Sequence, residues 1–235
     1  MRSYKIYLYR HGLTKGNLEG KYIGSTDLPL CEEGKKELEN LSKKKEYPAV
    51  GKVYVSPLIR CAQTAEILYP GVETFPVEQI REYDFGVYEN KSIDELKKDP
   101  EFVSWFQSNM AQPPQNGEDM KEFTRRIREG FDFIIKDMMN HRISSAAVIT
   151  HGGVMMSILS MCGLPRMQPT NWNAQPGEGY AVLVNASLWG NTQSFEICEK
   201  LPYEQEEEFE RQPFAMLDAE EIRREIRQMK GRENS

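Results

Sequence analysis

Two apolar runs in this 235-residue chain end the same way: "KIYLYRHG" from Lys5 and "AAVITHGG" from Ala146 each pass straight into histidine and glycine. Short runs rich in β-branched and aromatic residues read as strands. The second, apolar throughout, fits a strand buried on both faces of a parallel sheet. In open α/β sheets, ligands gather beyond the carboxyl ends of the strands. Only three histidines occur in the chain, and this pattern sets His11 and His151 at two such ends. The adjoining glycines allow backbone to approach a bound group closely. Two imidazoles at neighbouring strand ends could therefore share one ligand. The third histidine, His141 in "MNHRISS", sits in a polar connection and reads as a surface residue.

The rest of the chain alternates between the two periodicities. "LCEEGKKELENLSKKK" reads as a helix despite Gly34, and "KVYVS" (Lys52 to Ser56) as a strand. Pro57 suits the start of a helix that runs through Leu68. "ETFPVEQI" allows a third short strand, Asp94 to Gln107 a helix, and "NMAQPPQNGED" a turn-rich loop. A long helix from Asp119 to about Met139 carries Phe123, Ile127, Phe131, Ile134 and Ile135 at helical spacing. "HGGVMMSILSMCG" reads as a helix, and "GYAVLVN" and "SFEICEK" as two final strands that could form a hairpin. Such alternation predicts an α/β domain with a mainly parallel central sheet flanked by helices. From Pro202 onward the composition turns strongly charged, which predicts a solvated tail, helical in part.

A net charge of −6 leaves no global basic field to gather nucleic acid or an anionic membrane. Any anion site must be local. Cys31, Cys61, Cys162 and Cys198 lie far apart, so neither a disulfide framework nor a zinc site is expected. The N-terminus has no secretory pattern, and no stretch reaches membrane-spanning length, so a cytoplasmic protein is expected. Zinc at His11 and His151 would need a third and often a fourth protein ligand. Arg10 beside His11 points to an anion instead, because guanidinium forks onto phosphate or carboxylate oxygens. Arg60, in the first turn of a helix after a strand, adds a second cation at the same edge. A carboxylate is available in "IREYDFGVYEN", where Glu82, Asp84 and Glu89 compete on spacing alone.

These segments together resemble the histidine phosphatase superfamily, the phosphoglycerate mutase-like fold. Arg10-His11-Gly12 with Thr14 and Asn17, "GKYIGSTDLPLCEEG", "SPLIRCAQTA", "REYDFGVYEN", "PQNGED" and "VITHGG" carry the resemblance, which runs to about Lys200. It implies one domain over residues 1–201, a capping insertion at about 88–117, and a separate tail over 202–235. It also implies metal-independent hydrolysis of a small-molecule phosphate ester, with no cofactor. His11 would be the nucleophile that forms a phosphohistidine. Arg10, Arg60 and His151 would surround the phosphoryl oxygens, helped by Asn17 and by backbone N–H groups near Gly24 and Gly152. The resemblance selects Glu82 as the acid, since it stands just before the aromatic-glycine turn. Glu89-Asn90 departs from the family's usual Glu-Gly, although Asn tolerates the left-handed conformation.

Phosphoglycerate mutase-type transfer is the alternative. In mutases an arginine pair follows a tryptophan in the capping insertion, whereas this chain reads Trp105-Phe106-Gln107. From Arg10 to Gly34 the chain looks similar to bacterial α-ribazole phosphatases and related broad-specificity enzymes. Trp172-Asn173 could line a substrate pocket or belong to the core, and the methionines read as packing material. A remoter alternative is an inactive member that serves as a protein-binding module. The oligomeric state stays open.

Overall fold

A computed structural model describes residues 3–108 and 110–204. The first strand, β1 (Ser3–Arg10), stops one residue short of the histidine. A single turn, α1 (Lys15–Leu18), and α2 (Glu32–Lys44) follow. Next come β2 (Lys45–Glu46), β3 (Lys52–Val55), α3 (Ile59–Leu68) and β4 (Thr74–Pro76). Two short helices, α4 (Ile93–Leu96) and α5 (Pro100–Gln107), precede the long α6 (Met120–Asn140). Then follow β5 (Ser145–Thr150), α7 (Gly152–Cys162), β6 (Gly163–Leu164), β7 (Gly179–Asn185) and α8 (Ala186–Thr192). The last described elements are β8 (Phe195–Leu201) and β9 (Tyr203–Glu204), the latter paired with β2.

The main sheet has the order β4-β3-β5-β1-β7-β8-β6. Strands β4, β3, β5 and β1 run parallel, and β7 lies antiparallel to both β1 and β8. From β1 the chain crosses to β3 and later returns to insert β5 between them. That return makes the carboxyl ends of β1 and β5 neighbours, with Arg10 opposite Thr150. His11 N–H donates to the Thr150 carbonyl at 2.9 Å, which extends the ladder to the residue that matters.

Strand side chains alternate between faces, and each face has its own core. Ile6, Leu8 and Val148 pack with Ile127, Phe131 and Ile134 of α6 and with α7. Tyr7, Tyr9, Val53 and Ile149 pack with Leu38 of α2 and with Cys61 and Ala65 of α3. The mainly parallel, doubly covered sheet expected from the alternation is the architecture observed.

Several local expectations need correction. The helix expected from Asp94 to Gln107 is broken in two. Asp99 accepts hydrogen bonds from the N–H groups of Glu101 and Phe102, and Pro100 takes the first helical position. An Asp-Pro pair is a helix start, so it ends whatever precedes it. Pro57 does not open α3, which begins at Ile59 after Leu58 as its cap, although Arg60 stays in the first turn. β7 and β8 are antiparallel neighbours but are joined through α8, which Asn185 caps, rather than by a hairpin turn.

Trp105 and Phe102 are buried against Tyr88, and the Trp105 indole donates to the Gln112 carbonyl at 2.9 Å. Trp172 is also buried, edge-on to Tyr180. His141 is exposed and paired with Asp137. All four cysteines are free thiols. No helix among the described residues is long and apolar enough to cross a membrane. The charged tail lies, beyond Glu204, outside the described residues.

Candidate active site

The register of β1 and β5 brings the His11 and His151 rings to 5.1 Å between centroids, inclined at 64°. Four charged or titratable side chains here are almost wholly enclosed: His151 is 0% exposed, Arg60 1%, His11 6% and Glu82 8%. Enclosed polar groups on this scale persist only where partners or a ligand satisfy them.

His11 is held by its own turn. Its Nδ1 lies 2.6 Å from the Gly12 carbonyl, which can only accept, so Nδ1 carries the proton. Nε2 is left with its lone pair. Gly12 N–H donates in turn to Thr64 Oγ1 at 3.0 Å, and Thr64 donates to the Arg60 carbonyl at 2.7 Å. Burial drives the His11 pKa well below its ordinary value, with the Arg60 and Arg10 charges adding to it. Burial, more than the flanking arginines, keeps this ring neutral.

His151 caps α7 and is neutral for the same first reason, burial, with Arg60 next. Its Nε2 lies 2.7 Å from Ser56 Oγ, just past the end of β3, and its Nδ1 lies 3.9 Å from Cys61 Sγ. Cys61 Sγ packs 3.6 Å from the same Nε2, and burial pushes its thiol up to about 12. The thiol is therefore protonated and inert at neutral pH.

The cations are pinned by carbonyls. Arg10 Nη1 donates to Ala174 O at 2.9 Å; Arg60 donates to Thr26 O at 2.8 Å and to Gly24 O at 2.7 Å. The Nε atoms of both arginines are buried without a hydrogen-bond partner in this structure. Buried donors of this kind suit an oxyanion.

Glu82 accepts from Tyr83 N–H and Gly153 N–H, both at 2.9 Å. Burial still raises its pKa, against the pull of those two donors and of Arg60 and Arg10. The backbone around it is clamped by Arg126, which forms an ion pair with Glu118 and donates to the carbonyls of Gln79, Arg81 and Glu82. Thr150 Oγ1 ties the end of β5 to the Ile80 carbonyl at 2.7 Å.

Of the three competing carboxylates, only Glu82 shares these neighbours. Asp84 accepts from Gly86 N–H, and Glu89 is turned to the 24–26 loop. Asn90 takes φ 63°, the left-handed conformation expected of it. Asn17 closes the capping box of α1 with Thr14. The Gly24 N–H is committed to Glu89, so what Gly24 gives the site here is its carbonyl, on Arg60. Gly152 opens α7, where an N–H has no intrahelical acceptor.

The sequence reading passes over Ser56, Thr64 and Gly153. Ser56 follows a strand end as the two histidines do, and that position was its available signal. No cluster of three or more His, Cys, Asp or Glu side chains at metal-binding spacing occurs among the described residues.

An α/β sheet with two neutral imidazoles, two anchored guanidiniums and a carboxyl at its carboxyl edge defines a protein equipped for phosphoryl chemistry. The chain belongs to the histidine phosphatase superfamily (branch 1), whose sequence pattern matches residues 6–197. It is 28% identical over 162 residues to a Hydrogenobacter thermophilus sequence that bears a phosphoserine phosphatase name, covering 67% of this chain and 77% of that one. It is 30% identical over 169 residues to a Yersinia pestis sequence named as the phosphoglycerate mutase GpmB, covering 68% and 76%. The α-ribazole phosphatase of Shigella flexneri shares the fold, with TM-score 0.69, 22% identity, and coverage of 83% of this chain and 94% of that one.

Proposed function

We propose that this chain hydrolyses a small phosphomonoester through a phosphohistidine at His11, without a metal ion or other cofactor. The observation that carries the reading is a neutral His11 with Nδ1 tied down, set among Arg10, Arg60, His151 and Glu82.

The steps balance on these residues. His11 Nε2 attacks phosphorus; the P–N bond forms as the bond to the ester oxygen breaks. Glu82, whose raised pKa suits an acid, protonates the departing oxygen. Arg10, Arg60 and the Nδ1 side of His151 face the equatorial oxygens, with Asn17 and the Gly152 N–H as further donors. Each such donor is worth about 100- to 1,000-fold in rate. A water then attacks the phosphohistidine, Glu82 takes its proton, and phosphate leaves with His11 neutral again.

Mutase-type transfer is the second reading, favoured by the names of several relatives. The capping segment argues against it. Trp105 is core rather than pocket wall, Phe106 and Gln107 follow it, and Lys97 faces solvent beside Asp94. A cationic grip on the substrate's carboxylate is what a mutase needs. The four free thiols support placing the enzyme in the reducing cytoplasm. The catalytic domain is taken as residues 1–201, with 88–117 as its cap.

The test is acid-labile labelling of the protein by an aryl phosphate after rapid quench, with and without chelator. His11→Ala should abolish the label and chelator should change nothing. With phosphoglycerate, release of free phosphate should outrun isomer exchange; rapid exchange with little phosphate would overturn the preference.

A further inference from the structure

Glu89, which loses the competition for the acid role, sits at the centre of another arrangement. The N–H groups of Gly24, Ser25 and Thr26 converge on its carboxylate at 3.0–3.3 Å, joined by Phe85 N–H at 3.0 Å and by the Thr26 hydroxyl. The carbonyls of the same loop serve the opposite charge: Gly24 O and Thr26 O accept both terminal nitrogens of Arg60. Asp27 accepts the Ile59 N–H at 2.8 Å, which sews the far end of the loop to the first turn of α3. Nothing but glycine fits at position 24, where a Cβ would lie 1.8 Å from the Tyr83 carbonyl and 2.6 Å from Glu89 Oε1.

The Gly24–Ser25 peptide is thus gripped at its N–H end by the Glu89 carboxylate and at its carbonyl end by the Arg60 guanidinium. The Thr26 N–H and carbonyl reach the same two groups through the adjacent peptides. Hydrogen bonds to ionised groups are the strong ones, and the Gly24–Ser25 peptide, polarised by Glu89, is a better acceptor for Arg60. We propose that Glu89 is a positioning residue for Arg60: it orders residues 24–26 so that their carbonyls aim the guanidinium at the phosphoryl group. The inference rests on the reading of Arg60 as a phosphoryl ligand. Glu89 itself touches neither substrate nor reacting atoms.

A double-mutant cycle tests it, read by kcat/KM on an aryl phosphate and by the inhibition constant of inorganic phosphate. Residues coupled through one network show non-additive effects, so Glu89→Gln should weaken phosphate inhibition and lower kcat/KM by about tenfold. In an Arg60→Ala background the same change should cost less than about twofold. Equal losses in the two backgrounds would overturn the inference while leaving the role of Arg60 intact. Unaltered phosphate inhibition in Arg60→Ala alone would overturn the reading of the site, and the inference with it. Should Glu89→Gln fail to fold, Thr26→Val decides, because it removes one donor to Glu89 and leaves the charge in place. It should weaken phosphate inhibition a few-fold in wild type and not in Arg60→Ala; the same shift in both would overturn the proposal.

Discussion

At the scale of single residues the site leaves little room for substitution. A Cβ at Gly153 would lie 2.5 Å from Glu82 Oε1, so Gly153→Ala pushes the carboxyl off its line. General acid catalysis contributes about 100- to 10,000-fold, and it matters most for poor leaving groups. Gly153→Ala should therefore depress kcat on alkyl phosphates about 100-fold and on aryl phosphates far less; equal losses on both would show general damage instead. The protonation states set the pH profile. Burial holds His11 well below 6.5 and Glu82 above 4.5. Activity should carry on undiminished as pH falls through 6.5, because the nucleophile is not yet protonated. The alkaline limb belongs to loss of the Glu82 proton, and Glu82→Gln should remove that limb while sparing the acid one. His11, His151, Arg10 and Arg60 were legible because each occupies a strand end or a first helical turn, which local pattern reveals. The carboxylates were not separable on spacing, since what distinguishes them is partners far along the chain: Gly153 for Glu82, the 24–26 loop for Glu89.

Elements show the same division between local and distant causes. Helix α2 is legible through its period, where its glycine reads only as a weakness. Gly34 lies where α2 crosses the residue after Gly12, with its Cβ position 2.3 Å from the Leu13 carbonyl. In an exposed helix, glycine to alanine gains about 1 kcal/mol. Here the sign reverses: Gly34→Ala should cost about 1–3 kcal/mol by overpacking and, by shifting Leu13, reduce activity as well. Thermal denaturation beside kcat measures both, and a stabilised, fully active variant would refute the crossing. The break at Asp99-Pro100 was written locally yet is hidden under a continuous helical period. The linking helix α8 was missed because "ASLWGNT" is too short to show periodicity between two strong strands.

For the whole molecule, buried histidines make the fold acid-sensitive. Unfolded, His11 and His151 take up protons near pH 6.5; folded, they do so only well below it. The unfolded state thus binds more protons as pH falls, and stability drops by up to about 1.4 kcal/mol per pH unit for each histidine. Glu82 works in the opposite direction above pH 4.5, since the fold retains its proton, but it is one group against two. Calorimetry from pH 7 to pH 5 should show a falling melting temperature, with a shallower slope in His151→Asn; a flat wild-type profile would refute the assignment. Fold class was legible because alternating elements and apolar strands admit few layer arrangements. Strand order was not, because insertion of β5 beside β1 depends on pairing across most of the chain. That pairing carries a kinetic meaning. During refolding, the halves of the reaction centre arrive on strands far apart in the chain, and pairing of such distant segments is slow because the loop between them must first be closed. Catalysis is consequently a reporter of that long-range pairing, and a nascent or nicked chain lacking the β5 segment should be chemically silent.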